Sequence, residues 1–259
     1  MSVLEYMKVF VPKRIIRLLN KVFNLKIDEK CTYLFGNIFY YHHRGAFFDT
    51  YKELFEKGIY TFQPKSANPV IIDCGANMGL SLLFFTKNYP DAKIYAFEPD
   101  ITVLDYLEKN IETYGMKNAT LIKKAVWDKK EILEFATDKG MGGTLVNIHN
   151  KEKTQVETLR LKEFIGDMHI DLLKMDIEGA EYRVIKDCES KLGQIENIFI
   201  EYHSMEGEEQ KLEELLLILK RNGYRYHLSE SFSREKPFVD KKLIDNRIDM
   251  AINIYGYKS

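Results

Sequence analysis

Cysteine is scarce in this chain and forms no pattern: Cys31, Cys74 and Cys188 are odd in number and no C-x-x-C pair occurs. That excludes a disulfide framework and a zinc knuckle and points to a reducing compartment. No apolar run approaches the ~18 residues of a membrane-spanning helix. Residues 1–25 also lack the continuous apolar stretch and small-residue cleavage site of a signal peptide, so the expected location is the cytoplasm. An excess of one charge sign is missing too: 38 Lys+Arg stand against 39 Asp+Glu, a net charge of -1. Without a global positive field, no nucleic-acid partner is expected. What is present, 45% hydrophobic and 30% charged residues in a chain of 259, suffices for one large domain with a modest appendage.

From Val70 onward short β-rich runs alternate with helical ones, the pattern of a parallel sheet covered on both faces. The pattern predicts strands at residues 70–72, 94–97, 120–125, 170–175, 197–201, 224–228 and 249–255. Helices are predicted at 80–88, from Pro99-Asp100 to near Gly115, at 180–187 and at 208–222. No helical pattern separates the last two strands, which therefore suit an antiparallel closing pair. Extended pieces flank Gly140-Met141-Gly142-Gly143 and read as an excursion rather than a core element. The expected fold is α/β, a doubly wound, mostly parallel seven-stranded sheet over residues 66–259, preceded by a helical and aromatic cap over residues 1–65.

The cap differs in kind from the rest. Residues 1–26 hold six basic side chains against the single acid Glu5, with Ile15, Leu18, Leu19, Val22 and Phe23 on one helical stripe. Such a helix suits packing on the sheet domain or a partner subunit, and it also suits peripheral contact with an anionic membrane. Eleven aromatic residues crowd residues 33–62, where they serve as core or cover a substrate with flat faces that suit sugars.

The sharpest local signal is V-I-I-D-C-G-A-N-M-G at residues 70–79, a buried strand running into a glycine-bearing turn that opens a helix. Ligands of open α/β sheets bind at such turns. A dinucleotide fingerprint would need glycine where Asn77 and Leu80 stand, so a pyrophosphate is a poor fit. An acid, Asp73, followed by Gly75 and Gly79 instead suits a ligand with an ammonium and no phosphate, such as S-adenosylmethionine. Glu98 ends the next strand, where a carboxylate accepts both hydroxyls of an adenosine ribose. The competing reading makes Asp73 and Glu98 caps of the helices that follow them.

D-L-L-K-M-D-I-E-G-A-E at residues 171–181 and I-E-Y-H at residues 200–203 place Asp176, Glu178, Glu201 and His203 at one carboxyl edge of the sheet. Strand alternation sends Lys174 and Asp176 to one side and Met175 to the other. A charged cluster there is costly unless it serves a ligand, a metal or a proton transfer.

Together these segments resemble the FkbM family of S-adenosylmethionine-dependent methyltransferases over residues 70–228, most specifically in K-x-D-x-E-G-A-E. The resemblance implies a class I methyltransferase fold and O-methylation of hydroxyls on polyketides or on sugars of glycans and glycolipids. It implies that Asp73, Gly75, Asn77 and Gly79 line the methionine part, Glu98 the ribose, and residues 125–128, from Ala125 to Asp128, the adenine edge. Trp127 in that stretch either stacks or belongs to the core.

A methyl sulfonium is already a strong electrophile, so the protein must chiefly align a hydroxyl and remove its proton. His203 is the candidate base, oriented or charge-stabilised by Glu201 or Asp176, with His42 and His43 of the cap as rivals. A second version holds Mg2+ on Asp176, Glu178 and Glu201, lowering the pKa of the acceptor hydroxyl. Two other functions compete with a methyltransferase: an NAD-dependent oxidoreductase on the same kind of sheet, and a non-catalytic methyltransferase-like scaffold. The acceptor, a small molecule or glycan, is set by the cap and the Gly140 loop, which carry no transferable code.

Overall fold

The computed structural model describes residues 30–137, 152–239 and 248–258. The basic helix expected within residues 1–26 and the Gly140 segment lie outside them. None of the helices among the described residues is long and apolar enough to cross a membrane.

The described chain starts with a hairpin, β1 (Cys31–Leu34) and β2 (Asn37–Tyr40), followed by α1 (Arg44–Tyr51) and a π-helical turn, Lys52–Lys57. The central sheet begins with β3 (Val70–Cys74), α2 (Leu80–Asn88), β4 (Lys93–Phe97), α3 (Ile101–Tyr114) and β5 (Ala119–Ile122). β6 (Ala125–Trp127), β7 (Ile132–Thr137) and β8 (Glu152–Arg160) follow, then α4 (Leu161–Ile165) and β9 (Ile170–Met175). α5 (Glu181–Asp187), β10 (Ile195–Met205), α6 (Leu212–Arg221), β11 (Arg225–Phe232) and β12 (Ile248–Tyr257) complete it.

Seven strands form one sheet in the order β11-β12-β10-β9-β3-β4-β5. All run parallel except β12, which is antiparallel to both neighbours, as the missing helix before it predicts. The order reverses beside β3, the switch point where ligands of such sheets bind. Alternation divides the core in two. Ile71, Leu172 and Phe199 face the cap side, whereas Ile72, Leu173 and Ile198 face α5 and α6.

Three departures from the sequence reading bear on the site. The expected strand 120–125 is broken: the Lys124 N–H turns back onto the Ile122 carbonyl (2.9 Å). Residues 125–127 thereby leave the main sheet and pair with β8 in a second sheet, β6-β8-β7. The flanks of the Gly140 segment, β7 and β8, are therefore not an excursion; Ala125, Phe135 and Val156 pack as a small core of their own. Finally, β10 runs on past Glu201 to Met205, because β12 pairs with it along that extension and sets His203 opposite Ala251.

The aromatics of the cap are largely core. Phe39, Phe47 and Tyr51 are buried, and the buried Tyr60 stacks on Phe85 (5.7 Å) and meets Phe199 edge-on (4.7 Å). A fully buried amide ties this cap to the functional turn. Asn110 accepts from the Tyr40 N–H (2.8 Å) and donates to the carbonyls of Tyr40 (2.7 Å) and Met78 (2.8 Å). Each polar group of that side chain is satisfied, so it fixes the turn instead of costing stability.

Candidate active site

The turn after β3 is pinned to the end of β4. Gly75 and Ala76 both donate backbone N–H groups to the Phe97 carbonyl (3.0 and 2.9 Å). The next N–H, of Asn77, donates to Glu98 Oε2 (2.7 Å), while Oε1 accepts from the Asp100 N–H (2.8 Å). Asp100, not Glu98, caps α3, its Oδ1 accepting from the Thr102 N–H (2.8 Å). Glu98 is thus free of capping duty and faces a cleft that opens in part to solvent. Burial raises its carboxyl to about 7, against the two backbone N–H groups that favour the charged form. Gly75 and Asn77 line the same cleft; Val103, Ala125 and Phe135 form an apolar wall, and Asp176 and Glu178 close the other end.

Asp73 and Gly79 shape this cleft without lining it. Asp73 is fully buried, takes the Ser81 hydroxyl at 2.6 Å and lies 3.3 Å from the Lys174 ammonium. Gly79 lets the turn pass Leu107, whose Cδ1 is 2.6 Å from where a Cβ would stand. Lys174 also donates to the carbonyls of Gly75 (2.6 Å) and Cys74 (3.2 Å) and lies 3.4 Å from Asp176. Burial favours its neutral form, yet Asp73 and Asp176 outweigh that and hold its pKa well above the usual lysine range. One buried cation therefore clasps the ends of β3 and β9.

Beyond β9, residues 176–181 turn around a fully buried carboxylate. Glu181 accepts from the N–H groups of Ile177 (3.1 Å) and Gly179 (3.1 Å) and from His203 Nδ1 (3.1 Å). The other ring nitrogen, Nε2, lies 3.6 Å from Glu178 and 3.9 Å from Glu201. Burial opposes a charge on His203, but Glu178, Glu181 and Asp176 prevail and lift its pKa well above the ordinary 6.5. Burial and like-charge crowding, in which Asp176 takes part, raise Glu178 and Glu201. Glu181 behind Nδ1, with Glu178 and Glu201 before Nε2, thus gathers the expected base and its acids at one strand edge.

A family model, described as the Methyltransferase FkbM domain, matches residues 73–226, a span that holds both the cleft and this cluster. The chain belongs to the FkbM methyltransferase family. Methyltransferase sdnD of Sordaria araneosa is 30% identical over 207 residues, covering 64% of this chain and 78% of that protein. The 2-O-methyltransferase NoeI of Sinorhizobium fredii is 27% identical over 160 residues, 54% of this chain and 65% of that one. The 31-O-demethyl-FK506 methyltransferase FkbM of Streptomyces tacrolimicus is 24% identical over 212 residues, 67% and 80% of the two chains. The seven-stranded sheet with its antiparallel β12 is the class I methyltransferase architecture. Membership in the FkbM family overturns the oxidoreductase alternative.

Within this FkbM methyltransferase, Asp128, expected at the adenine edge, does not line the cleft and accepts from Arg183 Nε (2.7 Å). Trp127 beside it is buried, donates to Glu131 (3.0 Å) and lies under the Arg183 guanidinium (4.6 Å), so it is core. The cap histidines stay away from the cluster: His43 caps α1 by accepting from the Ala46 N–H (3.2 Å), and His42 packs edge-on against Tyr106 (6.2 Å). Sequence reasoning missed Glu181 as the orienter of His203, although it stands in K-x-D-x-E-G-A-E. It also missed the cleft wall of Val103 and Phe135, which no local pattern brings together.

Proposed function

We propose that this chain is an S-adenosylmethionine-dependent O-methyltransferase acting on a hydroxyl of a sugar or small natural product. The cleft between Glu98 and the Asp176–Glu178 edge carries the reading. Its residues fit that cofactor: an apolar wall for a flat base, a buried carboxylate with spare lone pairs for two ribose hydroxyls, and acids at the far end for a cationic sulfonium and ammonium. Two relatives whose names specify an oxygen support the hydroxyl acceptor. S-adenosylmethionine supplies, when bound, a methyl group on a positively charged sulfur. The chain's own part is to hold the acceptor hydroxyl beside Asp176 and take its proton on Glu201, whose Oε1 already accepts from the Ser231 hydroxyl (2.6 Å). His203, held by Glu181 at its Nδ1, faces Glu178 and Glu201 and orders them.

Calorimetric titration with S-adenosylmethionine tests the cofactor half. Ribose hydroxyls donate to the charged form of Glu98, whose unliganded carboxyl sits at about 7. Affinity is therefore weak below that pH, rises through it and levels off above. For the unliganded fold the sign is opposite, since a raised carboxyl pKa makes stability fall as pH climbs from the ordinary carboxyl range toward 7. Glu98→Gln removes charge-assisted hydrogen bonds of about 1.5–3 kcal/mol, so its affinity drops roughly ten- to hundredfold and loses the pH dependence. A pH-independent affinity that Glu98→Gln leaves unchanged would sink the assignment. Labelled-methyl transfer into separated lipid, polysaccharide and small-molecule pools tests the catalytic half, and cofactor binding without any transfer would favour the scaffold reading.

A further inference from the structure

The edge that ends the cleft holds three side chains of ligating chemistry. Oxygens of Asp176 and Glu178 and a ring nitrogen of His203 all lie within 4.8 Å of one another. Ligands each ~2.0–2.3 Å from a shared ion are spaced on that scale once small side-chain shifts close the shell.

The histidine is independently prepared for the task. Its side chain is 5% exposed, and Nδ1 lies 3.1 Å from Glu181, a buried carboxylate that can only accept; Nδ1 therefore carries the hydrogen and Nε2 points into the cluster. There Nε2 finds Glu178 at 3.6 Å and Glu201 at 3.9 Å, both longer than a hydrogen bond. A ring nitrogen that faces carboxylates, on an imidazole steered from behind by another carboxylate, is the arrangement that orients metal-ligating histidines. Asp176 is held as firmly: its N–H donates to the Cys74 carbonyl (3.1 Å), and Lys174 approaches Oδ2 (3.4 Å), leaving Oδ1 for a ligand.

We infer that Asp176, Glu178 and His203 form a binding site for one divalent cation. Two carboxylates with one imidazole and room for further oxygens suit Mn2+ best and Mg2+ next. Where the methyltransferase reading holds, the ion lies where the acceptor oxygen must be held, with Glu201 beside it; of the acids first considered, Glu201 gives its place as a ligand to His203.

Electron paramagnetic resonance of Mn2+ titrated into the full chain, stripped with chelator and free of cofactor, tests this directly. The expected result is one bound Mn2+ per chain, displaced by excess Mg2+. Binding weakens at least tenfold in His203→Ala and in Glu178→Gln, with circular dichroism confirming the fold. Should His203→Ala not fold, Glu178→Gln decides alone. Mn2+ binding that both folded variants retain would place the ion elsewhere and overturn the inference. Absence of Mn2+ binding by a chain that still binds S-adenosylmethionine would overturn the cation site and leave the methyltransferase standing; Mn2+ binding without S-adenosylmethionine binding would do the reverse.

Discussion

Lys174→Met lowers the unfolding free energy by about 3–5 kcal/mol, the size seen when one partner of a buried ion pair is removed. Lys174 is 2% exposed, and its ammonium serves four oxygens, two carboxylate and two carbonyl, at 2.6 to 3.4 Å. Without it Asp73, fully buried, keeps only the Ser81 hydroxyl, and the Gly75 carbonyl loses its 2.6 Å donor. The deficit has a pH signature. In the variant the Asp73 carboxyl is pushed up by burial with no cation to oppose it, so the folded state prefers it protonated. The loss is full near neutrality and shrinks as pH falls toward the carboxyl range. Asp73→Asn combined with Lys174→Met recovers part of the loss, because no charge is then stranded. Urea unfolding of the wild type, both single variants and the double variant checks the cycle. A Lys174→Met cost below about 1 kcal/mol, or strictly additive losses, would show that the clasp is incidental.

The contrast between what the sequence announces and what it hides follows from range. V-I-I-D-C-G-A-N-M-G is local: a buried strand, an acid and a turn occupy ten consecutive residues, and the structure places β3 and α2 there. Glu98 was legible for the same reason, as the acid ending the next strand. The clasp of Lys174 on the Gly75 carbonyl joins residues 99 apart, and Asn110 reaches Tyr40 across 70; no periodicity encodes either. The second sheet escaped notice because the break after Ile122 is a backbone turn between two lysines, without a glycine or proline to mark it. His203 is legible as a residue, but the acids that lift its pKa, Glu178, Glu181 and Asp176, reach it from another strand end. Sequence pattern therefore located the chemistry, while its electrostatics required the fold.

The same junction makes Gly75→Ala the most damaging single methyl group in the chain's active region. Gly75 has φ +87, and a Cβ there would stand 1.9 Å from the Asp176 carbonyl oxygen and 3.1 Å from its carbon. The obstacle is backbone that cannot step aside. Asp176 donates its N–H to the Cys74 carbonyl (3.1 Å), and Gly75 is itself held through its N–H on Phe97 (3.0 Å). Relief requires parting the ends of β3 and β9, which breaks the Lys174 clasp and the floor of the cleft together. The left-handed conformation alone costs about 1–2 kcal/mol for a non-glycine residue, and overpacking against an unyielding neighbour adds about 1–3 kcal/mol. The total is roughly 2–5 kcal/mol before the clasp is counted, with its upper end in the range of exceptional substitutions. Gly115→Ala is the control: its φ is also positive, +57, but nothing lies within 4 Å of the added Cβ, so only the conformational term applies. Urea unfolding should show Gly75→Ala losing several times more stability than Gly115→Ala. Equal losses would mean that the approach of Asp176 to the turn yields easily, and a cleft floor that yields easily could not hold Glu98 and Asp176 at fixed ends of one ligand.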